Sequence, residues 1–451
     1  MQTTLALSGD AIINRRISTC EREGFLALVE QFRKADIGFT HLETVIHEFD
    51  RDDAYPAAEA GGTWMASPEY VADELAWAGI DVVSHASNHA LDYSYGALAN
   101  TWEVLDRSGI AHAGTGENLG DARAPAYFQI PEQRVALVSM SSSYPRWSRA
   151  GQSRPDVIGR PGVNPLRYHH VVDTDTKVQI QQIADALGWW INDAGDGALE
   201  LNPAGLHNTR LRIEEADGRA ETTVPHEGDL KGNLRAISDA ATQADFVIAH
   251  LHTHEFQPGG DVGDPADFVS PVSKACIDAG ADVFVVQGTH SPIRGIELYK
   301  GRPIFHDPGD FFRMNDTVER LPADFYDHFE DGLPGHPADA TPSEGFTARK
   351  GGSGPGADTP WLGVINPPGG SMAGSETGNV LPVCTFEDGE LSRIEVYPGY
   401  WPADPSAANV GIPERATGDV AERIIDDIAE KSAAYGTDVR FEDGRGVISA
   451  D

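Results

Sequence analysis

Polar side chains that can bind a metal ion follow the ends of several predicted strands. The stretch Val82–Asp92 begins as a short apolar strand and runs directly into Asn88 and His89. Because the parallel strands of an open α/β sheet bind ligands at their carboxyl ends, we expect such strand ends to form one site. The groups at these ends are Asp10; His41 and Glu43; Asn88 and His89; His250, His252, His254 and Glu255; His290; and, as a weaker sixth position, His306 and Asp310.

The residue types at these strand ends indicate metal chemistry. Divalent transition-metal ions accept carboxylate, amide and imidazole donors together when open coordination positions remain. Such ions lower the pKa of a bound water and stabilise an anionic transition state. The sequence therefore predicts a cofactor of one or two divalent ions, of manganese, zinc or iron.

The histidine-rich strand end is the most specific of these signals. Alternation along an extended strand places His250, His252 and His254 on one face, and three histidines in five residues are hard to explain as a solvated strand end. The same alternation places His41 on the face that carries Glu43.

Other candidates are weaker when taken alone. Asp10 follows a glycine and is equally compatible with the N-cap of a helix, and His290 is compatible with a turn. His85 is interpreted as a structural histidine within its strand. Asp92 is expected to support the site or to cap the helix that follows it.

Strands and helices alternate through the first third of the chain and again after residue 232, which predicts an α/β fold. Between 145 and 232 the pattern weakens, and we interpret this segment as an insertion near the site. It contains a predicted helix around Val178–Leu187 and a predicted hairpin, Arg210–Glu215 with Ala220–Val224.

The last third is less regular. Residues 314–378 are rich in Gly, Pro, Asp and Ser and lack periodicity, which predicts a long loop. Residues 379–451 then add a hairpin, Val380–Phe386 with Glu390–Val396, and an amphipathic helix, Val420–Tyr435. We expect these parts to complete a single domain that comprises residues 1–451.

Composition excludes several classes of partner. A formal net charge of −36 repels nucleic acid and anionic membranes. The sequence has neither an apolar span of about 18 residues nor a secretion signal, and its three cysteines form no CxxC pair. These features predict a cytoplasmic acidic protein without nucleic-acid or membrane partners, and a high-salt cytoplasm would screen its self-repulsion.

Short motifs in one order resemble the CapA, or poly-γ-glutamate capsule-biosynthesis, family, which is related to calcineurin-like metallophosphoesterases. The resemblance covers roughly Leu5–Phe311 and implies a four-layer α-β-β-α sandwich with metals at the carboxyl ends of the strands. The motifs are Gly9-Asp10, Leu42-Glu43-Thr44, Ala86-Ser87-Asn88-His89 with Asp92, Gly114-Thr115-Gly116, His252-Thr253-His254-Glu255 and the segment Gly295–Phe305.

The resemblance also implies roles for individual residues. His89 would be the general acid or would stabilise the oxyanion. The wider group carries an Asp-x-His on its first strand, and this chain has Ile12 at the histidine position. We therefore expect one tightly bound ion and a second that is weak or absent, with His41 or His254 as a substitute ligand. The implied metal ligands are Asp10, Glu43, Asn88, His252 and His290.

These features predict a metal-dependent hydrolase in which a metal-bound hydroxide attacks a phosphoester or amide bond of a small, anionic substrate. Arg160, Asn164 and Arg167 are candidates for binding the anionic group, although a structural loop with surface arginines explains them equally well. The alternative is a non-catalytic accessory protein of poly-γ-glutamate biosynthesis, against which the acidic surface counts. Either protein could form a homo-oligomer.

Overall fold

The computed structural model describes residues 2–49, 51–193, 197–202, 211–216, 222–258, 260, 263–290, 293–351, 378–402 and 408–449. In chain order its strands are β1 (Gln2–Ile12), β2 (Ile37–Leu42), β3 (Val45–Ile46), β4 (Ala66–Ser67), β5 (Val82–Ser84), β6 (Ala111–Ala113), β7 (Thr115–Gly116), β8 (Ala126–Ile130), β9 (Gln133–Ser141), β10 (Gly162–Val163), β11 (Tyr168–Val172), β12 (Trp190–Asp193), β13 (Leu199–Asn202), β14 (Leu211–Glu215), β15 (Thr222–Pro225), β16 (Phe246–His252), β17 (Val283–Gln287), β18 (Ile296–Tyr299), β19 (Arg302–Phe305), β20 (Phe312–Arg313), β21 (Asn379–Glu387), β22 (Glu390–Tyr400), β23 (Glu414–Arg415), β24 (Arg440–Glu442) and β25 (Arg445–Ser449).

The helices connect these strands or cover the sheets. They are α1 (Glu23–Lys34), α2 (Tyr70–Ala78), α3 (Ser94–Arg107), α4 (Leu119–Arg123), α5 (Thr174–Ala186), α6 (Glu227–Ala241), α7 (Val269–Asp278), α8 (Ala323–His328), α9 (Pro342–Gly351) and α10 (Gly418–Ala433). Short 3₁₀ turns lie at Arg146–Ser148, Asn315–Thr317, Glu330–Gly332 and Pro337–Asp339.

Two large sheets position the candidate site. In the described part of the chain the first has the order β24-β25-β22-β21-β1-β2-β5-β6, with β20 added beside β1 and β23 beside β22. The second has the order β18-β19-β17-β16-β9-β8. Within them β1, β2 and β5 run parallel, as do β9, β16 and β17, so each sheet presents several carboxyl ends at one edge. The predicted α/β class is confirmed.

Side-chain alternation explains how the layers pack. One face of the first sheet, with Leu5 and Phe39, shares a buried core with Leu137 and Ile248 of the second sheet. The opposite face of the first sheet packs against α1 and α2 in a second buried core, which includes Phe25 of α1, Leu75 of α2 and Val83 of β5. The outer face of the second sheet packs against α6 and α7. Each large sheet is therefore buried on both faces, as its nearly continuous apolar strands require.

A β-bulge in β1 changes which way Asp10 faces. The register with β2 shifts between the pairs Leu7–Phe39 and Asp10–His41, so β1 carries an extra residue there. Without the bulge, alternation would place Asp10 on the face opposite Leu7, because side chains alternate along a strand. With it, Asp10 follows Leu7 into the space between the sheets, and Ala11 joins the outer core with Ala6.

Three parts of the sequence prediction are wrong in detail. The strands β14 and β15 do not pair with each other, because β11 lies between them and pairs with both; the intervening residues 217–221 are outside the described range. The predicted loop contains α8 and α9, while its residues 352–377 are not described. The helix α10 is followed by a further hairpin, β24 with β25.

None of the described helices is long and apolar enough to cross a membrane.

Replacing Gly9 by alanine tests the close approach that accompanies the bulge. A Cβ atom at Gly9 would lie 1.5 Å from the carbonyl oxygen of Gly309, so the backbone has to move. We expect Gly9→Ala to lower the free energy of unfolding by about 1–3 kcal/mol. Urea denaturation measures this, with Gly335→Ala as the control, because a Cβ at Gly335 meets nothing within 4 Å. Equal stability of the two variants would contradict the packing described.

Candidate metal centre

The space between the two sheets changes from apolar to polar toward the carboxyl ends of the strands. In β2 the inward-facing row continues from Phe39 to His41, and Glu43 follows the strand end. In β16 the row continues from Ile248 to His250 and His252. The candidate ligands are thus the last members of rows whose first members build the core.

A stack of three imidazoles forms the floor of the centre. The ring of His41 lies between those of His250 and His252, with centroid distances of 4.7 and 4.6 Å. Its Nδ1 lies 2.7 Å from the hydroxyl of Ser84. Burial, together with the neighbouring imidazoles, holds the pKa of His41 and of His252 well below the ordinary value. Both rings are therefore neutral, which is the form that binds metals.

Asp10 and Glu43 are completely buried carboxylates. None of their four oxygens has a hydrogen-bond donor within 3.5 Å in the part of the chain that the structure describes. Glu43 Oε1 lies 3.6 Å from Nε2 of both His252 and His254, and these two nitrogens are 3.1 Å apart. The strand ends at His252, yet the chain beyond it still brings His254 to the same point.

These two carboxylates differ electrostatically. Burial raises the pKa of Asp10 well above its ordinary value, and the nearby charges of Glu43 and Asp310 raise it further. Burial also acts to raise the pKa of Glu43, but His290 and His254 outweigh it, and the pKa falls below the ordinary value. A buried carboxylate without a donor calls for a cation.

His290 and Asp310 complete the centre from a second direction. The Nδ1 atom of His290 lies 2.9 Å from Asp310 Oδ1, 3.6 Å from Glu43 Oε2 and 3.7 Å from Asp10 Oδ2. Burial lowers the pKa of His290, but the charges of Asp310 and Glu43 outweigh it and raise that pKa to about 9. Arg313 Nε lies 3.2 Å from the other oxygen of Asp310.

Sequence reasoning gave Asp310 too little weight. Its backbone neighbour Phe311 donates a hydrogen bond to the carbonyl of Asp10 at 2.8 Å, so the two carboxylates meet although they are far apart in the chain. The sequence signals at this position were an aspartate after a predicted strand and the segment Pro308-Gly309-Asp310-Phe311, which stands where the resembled family has Leu-Gly-Asn-Phe. His306, given the same weight, lies elsewhere: its Nε2 is 3.1 Å from Glu297, and its ring stacks on Tyr435.

The donors group closely enough to hold divalent ions. Three sets of ligand atoms lie within 4.8 Å of one another: Asp10, His41 and His252; Glu43, His254 and His290; and Asp10, His290 and Asp310. The buried oxygens without hydrogen-bond partners, together with the neutral imidazoles of His41 and His252, fit one or two divalent ions of the predicted kind.

His89 is held beside these groups by Asp92. Its Nδ1 lies 2.5 Å from Asp92 Oδ2. The Asp92 carboxylate also accepts hydrogen bonds from the backbone N–H groups of Gly61 (3.1 Å) and Met65 (2.8 Å). Burial lowers the pKa of His89, but the Asp92 carboxylate outweighs it, so the pKa is raised. Asp92 therefore orients His89 and keeps it readily protonated.

Asn88 lies between the centre and the loop at Gly61. Its Oδ1 is 3.0 Å from Nε2 of His252, and its Nδ2 donates to the carbonyl of Gly61 at 2.7 Å. His85, by contrast, lies between the carbonyl of Thr44 and the hydroxyl of Thr115, at 3.1 and 3.2 Å. These contacts give His85 a structural role.

A cavity of about 960 Å³ opens onto the centre. The candidate groups that line it are Asn88, His89, His254, His290 and Asp310. Further walls come from the loop with Glu59 and Thr63, from Tyr144 and the segment 145–232 with Tyr168, His170 and Thr223, and from the helical segment with His328, Phe329 and Arg349.

The three predicted anion-binding residues do not line this cavity. Arg160 donates from Nε and Nη2 to the backbone carbonyl of Arg149. Asn164 is buried and donates to the carbonyl of Ser139 at 2.7 Å. Arg167 forms a two-pronged ion pair with Asp229 at 2.6 and 2.9 Å. Of the two interpretations that the sequence left open for these residues, their contacts favour a structural loop.

Comparison with known proteins shows the family of this chain. The sequence model of the family described as "Bacterial capsule synthesis protein PGA_cap" matches residues 4–315. The chain belongs to this family. The resemblance to the CapA family is therefore confirmed.

Two relatives from Sinorhizobium fredii, the uncharacterized proteins y4sH and y4uA, are each 32% identical over 451 residues, covering 99% of this chain and 92% of theirs. A probable polyglutamine synthesis accessory protein of Mycobacterium tuberculosis is 26% identical over 230 residues, covering 51% of this chain and 44% of its own.

Divalent metal is expected to stabilise the fold through these carboxylates. Binding to the folded state alone adds about 2.7 kcal/mol to the free energy of unfolding when free Mn²⁺ is 100 times its dissociation constant. Glu43→Gln removes one charge from the centre, so we expect a much smaller gain. Thermal unfolding with and without Mn²⁺ measures it. Glu297→Gln is the control, because Glu297 is a buried glutamate paired with His306 outside the centre. Equal gains in both variants would contradict the assignment.

Proposed function

We propose that this protein is a hydrolase that uses one or two divalent ions to cleave a phosphoester or amide bond of an anionic substrate. One observation carries the proposal: two buried carboxylates without hydrogen-bond partners, Asp10 and Glu43, converge with the neutral imidazoles of His41 and His252. The residues beside them, including His89, line a cavity. When bound there, divalent ions activate water and stabilise developing negative charge.

We assign proton transfer to His89. Its Nδ1 is engaged by Asp92, so a proton for the leaving group comes from Nε2. The Asp92 carboxylate raises the pKa of His89, which favours the protonated ring that a general acid needs. After the transfer, the Asp92 carboxylate retains the ring orientation, so the same atom can be reprotonated from solvent.

Glu43 lies between two groups of candidate metal ligands. One of its oxygens is 3.6 Å from Nε2 of His254 and the other is 3.6 Å from Nδ1 of His290, so the carboxylate could bind an ion on either side. Asp10, His290 and Asp310 offer a second set of donors, which would make up for the missing histidine at Ile12. We therefore propose that a second ion binds at this set.

The substrate is proposed to be anionic. Arg349 lines the cavity together with Arg313, which is paired with Asp310, and guanidinium groups suit carboxylates and phosphates. A cavity of about 960 Å³ has room for a ligand larger than the reacting group alone. We propose that the segment 145–232 selects among such ligands, because it contributes the wall with Tyr168 and His170.

The family resemblance supports a finer description of the fold. Two sheets share one core, and helices cover the outer face of each. These contacts support a four-layer α-β-β-α sandwich of the metallophosphoesterase type, which we propose for this chain.

A non-catalytic accessory role is the second candidate. It is favoured by the name of the mycobacterial relative, a probable polyglutamine synthesis accessory protein. The formal net charge of −36 counts against binding a polyanion over a broad surface.

Hydrolysis assays with metal-loaded protein separate the two candidates. Phosphomonoesters, phosphodiesters and γ-glutamyl amides form the panel, each with a neutral analogue, in the presence of Mn²⁺, Zn²⁺ or Fe²⁺. We expect His89→Asn to lower kcat about 10²- to 10⁴-fold, because it removes the general acid.

The matched control for this substitution is His226→Asn. His226 also precedes an aspartate by three residues and lies 3.7 Å from it, but it caps α6 outside the cavity. We expect wild-type rates from this control. If wild-type and His89→Asn proteins show the same turnover on every substrate, the enzyme proposal fails and the accessory role gains support.

A further inference from the structure

The buried side chain of Asp307 joins the two chain segments that bring His290 and Asp310 to the centre. One segment follows β17 and contains Thr289 and His290. The other follows β19 and runs from Asp307 through Gly309 to Asp310. Asp307 is only 1% exposed and does not line the cavity.

Both oxygens of the Asp307 carboxylate accept backbone hydrogen bonds. Oδ2 accepts from the N–H of Thr289 at 2.9 Å and from its hydroxyl at 2.5 Å. Oδ1 accepts from the N–H of Gly309 at 2.8 Å. Each acceptor therefore fixes the residue immediately before a candidate ligand.

The backbone at these points needs such support. His290 has φ of 61°, a left-handed conformation that is uncommon outside glycine. Gly309 has φ of 77°, also left-handed. Neither ligand is directed by regular secondary structure, because β17 ends at Gln287 and β19 ends at Phe305. The direction of both side chains depends on local hydrogen bonds.

Asp307 also lies where the chain crosses from one sheet to the other. The backbone carbonyl of Asp307 accepts from the N–H of Arg294, at 2.9 Å, beside the second sheet. The next carbonyl, of Pro308, accepts from Val380 of β21 in the first sheet at 3.0 Å. Shortly afterwards Phe311 bonds to Asp10. A change at Asp307 would therefore alter the separation of His290 and Asp310 from Asp10.

We propose that Asp307 is a positioning residue for the metal centre, setting its affinity by holding His290 and Asp310 in place without contacting the ion. The inference rests on the proposed function, since it assumes that these residues bind metal. Partners that orient metal ligands typically contribute 10- to 100-fold to affinity.

The test measures metal binding directly, apart from catalysis. The dissociation constants of Mn²⁺ and Zn²⁺ are determined for each purified full-length protein by competition with a chromogenic chelator. We expect Asp307→Ala to weaken binding 10- to 100-fold. Asp307→Asn should weaken it less, because the amide oxygen still accepts hydrogen bonds while the amide nitrogen cannot.

The matched control is Asp282→Ala. Asp282 accepts a backbone hydrogen bond from Val247 at 2.8 Å, but it lies at the other end of β17, about 17 Å from Gln287, the last residue of the strand. We expect this variant to lose thermal stability and to bind metal within twofold of wild type. Unchanged affinity in Asp307→Ala, or equal weakening in both variants, would overturn the positioning role.

A milder substitution covers the case in which Asp307→Ala does not fold. Thr289→Val removes the hydroxyl that bonds to Asp307 and keeps the side-chain shape. We expect a several-fold weaker affinity, and wild-type affinity would overturn the inference. A wild-type protein that binds neither ion would instead overturn the proposed function itself.

Discussion

Two carboxylates buried without donors, Asp10 and Glu43, are the constraint around which the centre is built. Removing an ionised carboxylate from water costs several kcal/mol unless a cation or donors compensate. Of the imidazoles around them, those of His41 and His252 are neutral, whereas the pKa of His290 is raised to about 9, so this ring carries a positive charge. That single charge does not offset the burial of both carboxylates, because the pKa of Asp10 remains well above its ordinary value. A divalent ion would satisfy the oxygens and the imidazoles together.

The fold delivers these groups by extending its own core. The same inward-facing rows that pack the two sheets with Phe39 and Ile248 end in His41 and His252. Rigid strands thus fix the deepest ligands, while His254, His290 and Asp310 come from segments beyond the strand ends. The bulge between Leu7 and Asp10 allows β1 to contribute to both the core and the centre, because Leu7 stays in the core while Asp10 faces the centre.

Alternation within single strands allowed the sequence to predict the polar ends of β2 and β16. Alternation could not predict that Asp10 faces the space between the sheets, because this depends on a β-bulge. Nor could it predict that Asp310 lies beside Asp10, because this depends on the chain crossing from one sheet to the other. The predicted pairing of β14 with β15 is wrong for a related reason. The local turn signal indicated a hairpin, but β11, which is distant in the sequence, lies between the two strands and pairs with both. The sequence left the role of Arg160 and Arg167 open between anion binding and a structural loop, because residue type alone does not reveal a backbone or carboxylate partner.

Anomalous diffraction at the manganese edge, from crystals grown with Mn²⁺, tests the central claim most directly. The account predicts a peak beside Glu43 among His252, His254 and Asn88. The proposed second ion would give another beside Asp10, His290 and Asp310. A map without anomalous density, in which Asp10 and Glu43 instead accept hydrogen bonds from protonated neighbours, would contradict it.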